Sequence, residues 1–364
     1  SKSLSMALER SIDECNLIAD VILRDGLLKD ELELRCTSER GRGVFVGPAI
    51  EGQPPVCIER GAILHEEGAL CFMAATPLHC DCCRCKVRPG HRVVCSSCQS
   101  VVWCGGCAAS AYLEHSASNE CKVFAEIDRQ QTIRGVPRRQ FWLRFAARAI
   151  LAAAHSSSVT KDWRVLLDLH GVKPIDEGDN DDSFCETRSD AVVLHSSLMS
   201  FFHLSSSRPL LPTQNDLNQL LVAIGSNAIA LHAVCSSPSL LGSASPPSPV
   251  GQQEHHLKGR ECEVVAWALF CAVSMYNHSC APNARWGFEG TTITIRSTRR
   301  ICSPEEVTVS YLPYYNSNGT VMTRQQRRDA LLGFGFICRC SRCEEEKCMC
   351  HEDAIQNSER TASK

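Results

Sequence analysis

The sequence predicts a mixed α+β protein in which bound metal joins segments that are far apart in the chain. Short β-type stretches divided by turns occupy residues 31–79 and return within residues 261–337, and helical periodicity dominates residues 122–235. Cysteine pairs with the two-residue spacing of zinc knuckles fill residues 80–121, and a second cysteine cluster lies at residues 338–351. A chain of 364 residues has ample material for a hydrophobic core around these elements.

Composition argues against several classes of protein. The net charge of −3 disfavours a dedicated nucleic-acid binder, and the small basic cluster at residues 84–92 is more typical of a solvated face. Residues 1–30 lack the apolar core of a signal peptide, and Ala146–Ala154 is too short to span a bilayer. We therefore expect a soluble protein without membrane association, located in the cytoplasm, the nucleus or both. In such reducing compartments, the 24 cysteines predict metal sites rather than disulfides.

The pattern along the chain divides it into consecutive segments. An N-terminal lead-in is followed by a β-rich part, a cysteine module, a helical part, a Ser/Pro-rich flexible insertion, a second β-rich part, a cysteine motif and a polar tail. Their boundaries, in the same order, are 1–30, 31–79, 80–121, 122–235, 236–260, 261–337, 338–351 and 352–364.

The cysteine module has the donors for two closed metal sites. A two-residue gap lets both sulfurs of a pair face one tetrahedral ion, and thiolate and imidazole donors suit zinc. One frame gives the donors Cys82, Cys85, Cys95, Cys98, Cys104, Cys107, His115 and Cys121. Cys80 and Cys83 form a competing first pair, while the nine-residue spacing to Cys95 favours the frame that starts at Cys82. The module is too small for much core of its own, so metal binding would supply most of its folding energy.

The seven-residue string Asn277–Asn283 is the candidate for the site of chemistry. It holds a cysteine whose expected metal partners lie far along the chain; the four residues are Cys280, Cys338, Cys340 and Cys343. A metal shared by these four would fold the end of the chain back over Asn277 and His278. That arrangement closes a pocket around an Asn, a His and the nearby Tyr311, where a reaction can take place.

Several motifs carry a family resemblance. The string resembles the NHSCxPN signature of SET-domain lysine methyltransferases, and Glu305–Tyr311 resembles their GEEI-x-x-SY segment. Arg40–Phe45 is similar to the glycine-containing turn near the start of such domains, and the 338–343 cysteines resemble the post-SET cluster. The cysteine module resembles a MYND zinc finger. Over roughly residues 31–343 the chain is therefore similar to a split SET/MYND, or SMYD-like, methyltransferase.

The resemblance implies a SET-domain β-fold that is split by a MYND zinc finger and a helical insertion, with a zinc-bound post-SET tail. It also implies three structural Zn²⁺ ions, with interleaved donors in the finger. The ligand sets would be Cys82, Cys85, Cys104 and Cys107; Cys95, Cys98, His115 and Cys121; and Cys280, Cys338, Cys340 and Cys343. The helical-repeat C-terminal domain of larger SET/MYND proteins has no counterpart in this sequence, which implies a more open substrate cleft.

The resemblance further implies an S-adenosylmethionine-dependent protein-lysine N-methyltransferase that acts on a histone or non-histone protein. Tyr311 would supply the hydroxyl beside the transferred methyl group. The cofactor-binding residues would be Arg42, Gly43, Asn227, Asn277, His278, Tyr311 and Phe336. Phe334 lies at the mouth of the lysine channel, where relatives often carry Tyr, and this difference bears on how many methyl groups are added. Glu305 and Glu306 are interpreted as a solvated turn.

Two other interpretations remain open from the sequence. The chain could be an inactive scaffold whose finger binds Pro-rich peptides, and Cys348, Cys350 and His351 could form a further metal site. The presence of Asn277 and His278 together with the tyrosine favours the enzyme. We expect a monomer, and the sequence determines neither the substrate protein nor the methylation state.

Overall fold

The computed structural model describes residues 31–38, 40–47, 54–134, 140–155, 163–169, 182–202, 212–232, 264–289, 291–312, 320–332, 334 and 336–347. The predicted lead-in at 1–30, the insertion at 236–260 and the tail at 352–364 lie outside these ranges, as do Cys348, Cys350 and His351. The described ranges mix strands and helices, which confirms the α+β prediction. None of the helices there is both long and apolar enough to cross a membrane.

Strands from the two β-rich parts interleave. In the described residues, 13 strands form five small sheets, and the ladders between them are antiparallel. The strands are β1 (Leu32–Thr37), β2 (Gly41–Val46), β3 (Cys57–Ile58), β4 (Ile63–Gly68), β5 (Cys71–Ala74), β6 (Arg92–Val94), β7 (Val102–Cys104), β8 (Ile229–His232), β9 (Val264–Leu269), β10 (Ala284–Glu289), β11 (Thr292–Ser297), β12 (Ile301–Cys302) and β13 (Glu306–Val307). β2 pairs with β13, β3 with β12, β4 with β11 and β5 with β9. The two β-rich parts therefore build one structure, although the finger and the helical part separate them in sequence.

Helices dominate the described residues of the helical part, as the periodicity predicts, and one further helix lies within the finger. They are α1 (Ala108–Ala117), α2 (Glu120–Arg134), α3 (Gln140–His155), α4 (Asp182–Phe202), α5 (Gln214–Asn227), α6 (Arg324–Leu332) and α7 over residues 341–347. The alanine-rich run lies in α3, where Ala146, Ala147 and Ala149 are fully buried. Their small side chains let α2 and α5 pack closely against α3.

One continuous core joins these elements. Val44 and Val46 alternate into it from β2, as expected of a half-buried strand. Leu64 of β4 and Ile295 of β11 lie in the same cluster, and so does Ile150 of α3. The buried valines thus hold β2 in the core. The glycine-containing segment Gly41–Gly43 at the start of this strand, here called the β2 turn, lies beyond them and can approach other segments.

Cys57 and Cys302 are joined by a disulfide, which differs from the expectation that paired cysteines bind metal. β3 and β12 pair so that these two residues lie directly opposite each other. Facing residues on antiparallel strands are close enough for their sulfurs to bond, here with the Cα atoms 4.1 Å apart.

Candidate active site and metal centres

The Asn-His string lies beside the segment that follows β13. Ser279 N–H donates to the Val309 carbonyl at 2.9 Å, and Val309 N–H donates to the Asn277 carbonyl at 3.0 Å. These bonds form a parallel bridge between His278 and Val309. The pairing places Asn277 and His278 next to Tyr311, as the sequence predicts.

The last residue of the string has a structural contact. Asn283 Nδ2 donates to the Glu306 carbonyl at 2.7 Å, and Asn283 Oδ1 accepts from Thr308 N–H at 2.8 Å. Asn283 is buried, so its amide replaces water for both backbone groups. It thereby holds β13 against the string.

Gly43 lies in the tightest part of the site. Asn277 Nδ2 donates to the Arg42 carbonyl at 2.8 Å and to Glu306 Oε1 at 2.7 Å. A β-carbon at Gly43 would come 2.6 Å from Glu306 Oε1 and 2.7 Å from Asn277 Nδ2. The structure thus brings together three of the predicted cofactor residues, and any larger residue at position 43 would require Glu306 and Asn277 to move.

Arg40 and Glu306 also belong to this cluster, and no pattern in the sequence indicates this. Arg40 pairs with Glu306 and donates to the His278 carbonyl at 2.8 Å. The Glu306 side chain is only 13% exposed, so the interpretation of this residue as part of a solvated turn is wrong. Glu305 does pair with Arg299 at the surface.

Tyr311 is held at both its backbone and its hydroxyl. Its Oη donates to the Tyr276 carbonyl at 2.8 Å, and its backbone N–H donates to His278 Nδ1 at 2.9 Å. Burial raises the pKa of Tyr311 to about 12. The hydroxyl therefore keeps its proton at neutral pH.

His278 connects this cluster to a cysteine group. Burial lowers the pKa of His278 to about 4, so the imidazole is neutral. Since Nδ1 accepts the Tyr311 N–H, the ring proton lies on Nε2, which faces Cys280 Sγ at 3.2 Å. The two nitrogens thus contact the tyrosine on one side and a cysteine ligand on the other.

Two phenylalanines border the tyrosine. The Phe334 and Phe336 rings lie 5.4 and 6.3 Å from the Tyr311 ring, between centroids, and Phe336 lies 6.1 Å from the His278 ring. Both phenylalanines are half-buried. They give one side of the site an apolar wall.

Asn227 has a different environment. It is the last residue of α5, and its Nδ2 donates to the Ala223 carbonyl at 2.8 Å. In the described part of the chain, no hydrogen bond joins Asn227 to the cluster around Asn277. Its assignment to the cofactor stays a prediction.

Three groups of side chains in the described residues could each hold a metal ion. Within each group, the four ligand atoms lie within 4.8 Å of one another. They are Cys280, Cys338, Cys340 and Cys343; Cys95, Cys98, His115 and Cys121; and Cys80, Cys83, Cys104 and Cys107. The first two groups are the predicted ligand sets. Four thiolates, or three thiolates and one imidazole, suit tetrahedral Zn²⁺ and leave no open position on the ion. These groups fit structural rather than catalytic zinc.

The third group corrects the predicted frame. Cys82 and Cys85 were the predicted first pair, but Cys80 and Cys83 take their place. Cys80 Sγ also accepts the Cys104 N–H at 3.2 Å, a bond that favours a thiolate.

Backbone geometry explains which pair turns inward. Arg84, the residue after Cys83, has φ 61°, and its N–H donates to the Cys80 carbonyl at 2.8 Å. The second knuckle repeats this geometry, since Gln99 has φ 55° and its N–H donates to the Cys95 carbonyl at 2.9 Å. The left-handed residue closes each turn and aims both cysteines at one point.

Arg148 of α3 joins the finger to the helical part. Glu120 Oε1 lies 3.0 Å from Nδ1 of His115, whose Nε2 faces the second cysteine group. Arg148 pairs with Glu120 and, at 2.6 Å, with Asp81 of the first knuckle. Burial alone would raise the pKa of Glu120, but Arg148 holds that pKa at about 2. The finger is thus fixed by a buried ion-pair network.

A family model described as the SET domain matches residues 41–312. The match begins in the β2 turn and ends just beyond Tyr311, so it contains most of the cluster described above. The chain belongs to the SET-domain family, which confirms the resemblance found in the sequence. The three cysteine groups fit the finger and the post-SET cluster of its SET/MYND members.

Among similar proteins, histone-lysine N-methyltransferase ASHR2 of Arabidopsis thaliana is 27% identical over 89% of this chain and 75% of its own length. Histone-lysine N-methyltransferase ASHR1 of the same plant is 26% identical over 77% of this chain and 50% of its own length. Protein-lysine N-methyltransferase SMYD4 of Mus musculus is 39% identical, over 22% of this chain. The chain thus spans half of ASHR1 and only 10% of SMYD4.

A solved structure of the SET domain of LSMT bound to lysine and AdoHcy overlaps with 86% of this chain and 58% of its own. The TM-score is 0.36 and the identity 11%. A likeness at this level adds nothing to the family assignment.

Proposed function

We propose that this chain is an S-adenosylmethionine-dependent protein-lysine N-methyltransferase whose substrate is a histone or another protein. One observation carries the proposal: Gly43, Asn277 and Tyr311 are far apart in sequence and converge in one hydrogen-bonded cluster. Family membership supports it, and the two plant relatives carry histone-lysine N-methyltransferase names.

The cluster fits the cofactor. When bound, S-adenosylmethionine supplies a methyl group on a sulfonium sulfur, which leaves as a neutral thioether. The missing β-carbon of Gly43 lets the Asn277 side chain, which we assign to the cofactor, lie against the backbone of β2, since an added carbon would come 2.7 Å from Asn277 Nδ2. With Gly43 and Asn277, the set of residues that we assign to binding consists of Arg42, Asn227, His278, Tyr311 and Phe336.

Tyr311 orients the reacting groups and is not a base. With a pKa of about 12 and its proton donated to the Tyr276 carbonyl, it has no capacity to take a proton from the substrate at neutral pH. The remaining lone pairs on its oxygen attract the partly positive methyl group and align it with the amine.

The lysine amine must be neutral to attack. The apolar rings of Phe334 and Phe336 favour the neutral amine over the ammonium because they offer the charge no solvation. The proton is therefore released to solvent before transfer, and the amine lone pair then forms the new N–C bond as the S–C bond breaks. Phe334 offers no hydroxyl to the amine, so the number of methyl groups added is a property to measure.

Calorimetric titration of the zinc-loaded protein with S-adenosylmethionine tests the proposal. Saturable binding, followed by transfer of labelled methyl groups to lysines of core histones or of lysate proteins, is the expected result. Mass spectrometry of the product then gives the methylation state. Absence of cofactor binding would contradict the proposed enzymatic function and favour the inactive scaffold.

A second function, peptide docking, is favoured by exposed apolar residues on the finger. Tyr112 and Leu113 of α1 are 41% and 68% exposed, and the Tyr112 ring lies edge-on to Trp103 at 6.3 Å. We propose that Pro-rich peptides bind here, since such segments dock on exposed aromatic surfaces. Leu113→Ser should weaken binding of a Pro-rich peptide, whereas Leu332→Ser, at a leucine 55% exposed on α6, should not. Equal effects would remove this docking site.

We also propose a monomer that does not bind nucleic acid and that is located in the cytoplasm, the nucleus or both. The small net charge of −3 supports the second of these points. Analytical ultracentrifugation, titration with duplex DNA and imaging of the tagged protein test the three points separately.

A further inference from the structure

We propose that Glu67 of β4 is a positioning residue for methyl transfer, an inference that rests on the proposed function. Its carboxylate accepts hydrogen bonds from three backbone N–H groups of a turn that lies about 200 residues away in the sequence. Oε1 accepts from Cys271 at 2.7 Å and from Ala272 at 3.1 Å, and Oε2 accepts from Val273 at 2.9 Å.

The charge of Glu67 lies inside the protein. The side chain is 7% exposed, and Oε2 lies 3.4 Å from His65 Nε2. Burying a carboxylate is costly unless hydrogen bonds compensate it, and three backbone donors provide that compensation. The geometry thus makes the turn depend on this one side chain.

The turn leads directly into the site. The three amides that donate to Glu67 lie at the start of the one-turn 3₁₀ helix Val273–Met275, and Tyr276 directly follows this helix. The Tyr276 carbonyl is the acceptor for the Tyr311 hydroxyl at 2.8 Å. Glu67 therefore acts on the reacting region through Tyr276, and its hydrogen bonds and ion pair involve none of the residues that we assign to the methyl group and the cofactor.

The same segment has a second sign of tight constraint. The Tyr276 side chain is fully buried, and its hydroxyl has no hydrogen-bond partner among the described residues. Its ring packs 6.1 Å from the His65 ring, on the same strand as Glu67. Burying a hydroxyl without a hydrogen-bond partner costs free energy. The three hydrogen bonds to Glu67 therefore help to hold Tyr276 in its buried position.

Glutamine is the informative replacement. It has nearly the same shape, but only its oxygen accepts hydrogen bonds, and its NH₂ group would face a backbone N–H. At least one of the three amides would lose its partner, and the turn would shift. Glu66 is the matched control because it lies next to Glu67, is exposed on β4 and accepts a long hydrogen bond from Thr294 Oγ1, at 3.4 Å.

The experiment compares Glu67→Gln and Glu66→Gln in the full chain. We expect Glu67→Gln to lower kcat by about 10- to 100-fold, because small displacements in an aligned site have effects of this size. KM for the lysine substrate and the Kd for S-adenosylmethionine should stay within about threefold, since other segments bind them. Glu66→Gln should leave all three quantities unchanged.

A second readout does not need activity. Labelling the five tyrosines with 3-fluorotyrosine gives ¹⁹F resonances, and Tyr311→Phe assigns the one from Tyr311. In Glu67→Gln that resonance should move, while the Tyr112 resonance on the finger should not. If the wild-type protein transfers no methyl group, the proposed function fails, but the ¹⁹F shift still tests the link from Glu67 to Tyr311.

Thermal unfolding of each variant comes first. If Glu67→Gln does not fold, Glu67→Asp keeps the charge and withdraws the carboxylate by one methylene, and the same measurements apply to it. The proposal is overturned if folded variants show an unchanged Tyr311 resonance and unchanged kcat. It is equally overturned if both variants fail to fold, because Glu67 would then be a structural cap alone.

Discussion

At the scale of single residues, the lack of a side chain at Gly43 is a feature that can be tested directly. Gly43→Ala should destabilise the protein by about 1–3 kcal/mol, since the new carbon would overlap with Glu306 and Asn277. It should also weaken binding of S-adenosylmethionine, because Asn277, which we assign to the cofactor, would be displaced. Thermal unfolding and calorimetry measure the two effects.

Gly68→Ala is the control for that substitution. A β-carbon at Gly68, at the end of β4, would have no heavy atom within 4 Å, so neither stability nor binding should change. Equal behaviour of the two alanine variants would show that Gly43 is not a close-approach position.

Tyr311→Phe should reduce kcat by at least about 100-fold and leave the affinity for S-adenosylmethionine within about threefold. The hydroxyl oxygen is lost, while the ring contacts with Phe334 and Phe336 remain. Single-turnover transfer and calorimetry give the two values. Unchanged turnover would remove Tyr311 from its assigned role.

The pH dependence of the wild-type protein checks the protonation state. Because the pKa of Tyr311 is raised to about 12, kcat/KM should rise with pH only as the substrate amine, with a pKa of about 10.4, loses its proton. An additional ionisation between pH 7 and about 9 would indicate a base that the structure does not assign.

At the scale of elements, the first zinc knuckle makes a prediction about reactivity. In zinc-loaded protein, iodoacetamide should label Cys82 and Cys85, which lie outside the ligand group, and spare Cys80 and Cys83. Exposed Cys36 is the internal positive control. Peptide mapping by mass spectrometry reads the result, and the reverse pattern would restore the frame predicted from spacing.

That knuckle also shows what the sequence could and could not predict. The CxxC spacings, the Asn-His string and the post-SET cysteines are visible in the sequence, and the structure brings their side chains together except for the predicted first pair, Cys82 and Cys85. The choice between two overlapping pairs depends on a positive φ after the second cysteine. A glycine or an asparagine in the sequence would indicate a residue with positive φ, but here Arg84 adopts that conformation. The sequence also does not indicate that Glu306 belongs to the site, because its ion-pair partner Arg40 is 266 residues away.

The contact between α3 and the finger gives a stability prediction. Arg148→Met should destabilise the protein by about 3–5 kcal/mol, since Asp81 and Glu120 would remain buried without their cation. Urea unfolding measures this loss. Arg129→Met, which removes the exposed partner of Glu126 on α2, should give no measurable change. Similar values for both would show that the network does not hold the finger.

At the scale of the whole molecule, metal connects segments that are far apart. The Cys280 group joins the Asn-His string to residues 338–343, and His278 contacts Cys280. A strong chelator should therefore lower the Tm by about 5–10 °C and abolish cofactor binding, because the wall formed by Phe336 would no longer be held. Differential scanning calorimetry with and without chelator checks this, with Mg²⁺-saturated chelator as control. An unchanged Tm would refute structural zinc.

The separation between paired residues has a consequence for how the protein is made. The β2 turn finds its partners at Asn277 and Glu306, and the site receives its last ligands at residues 338–343. A ribosome synthesises these segments in order, so the N-terminal β-rich part can pair β1 with β2 but remains without its later partners until almost all of the described chain has emerged. Activity should therefore appear only late in translation. Nascent chains that are arrested at any point before Cys338 should be inactive.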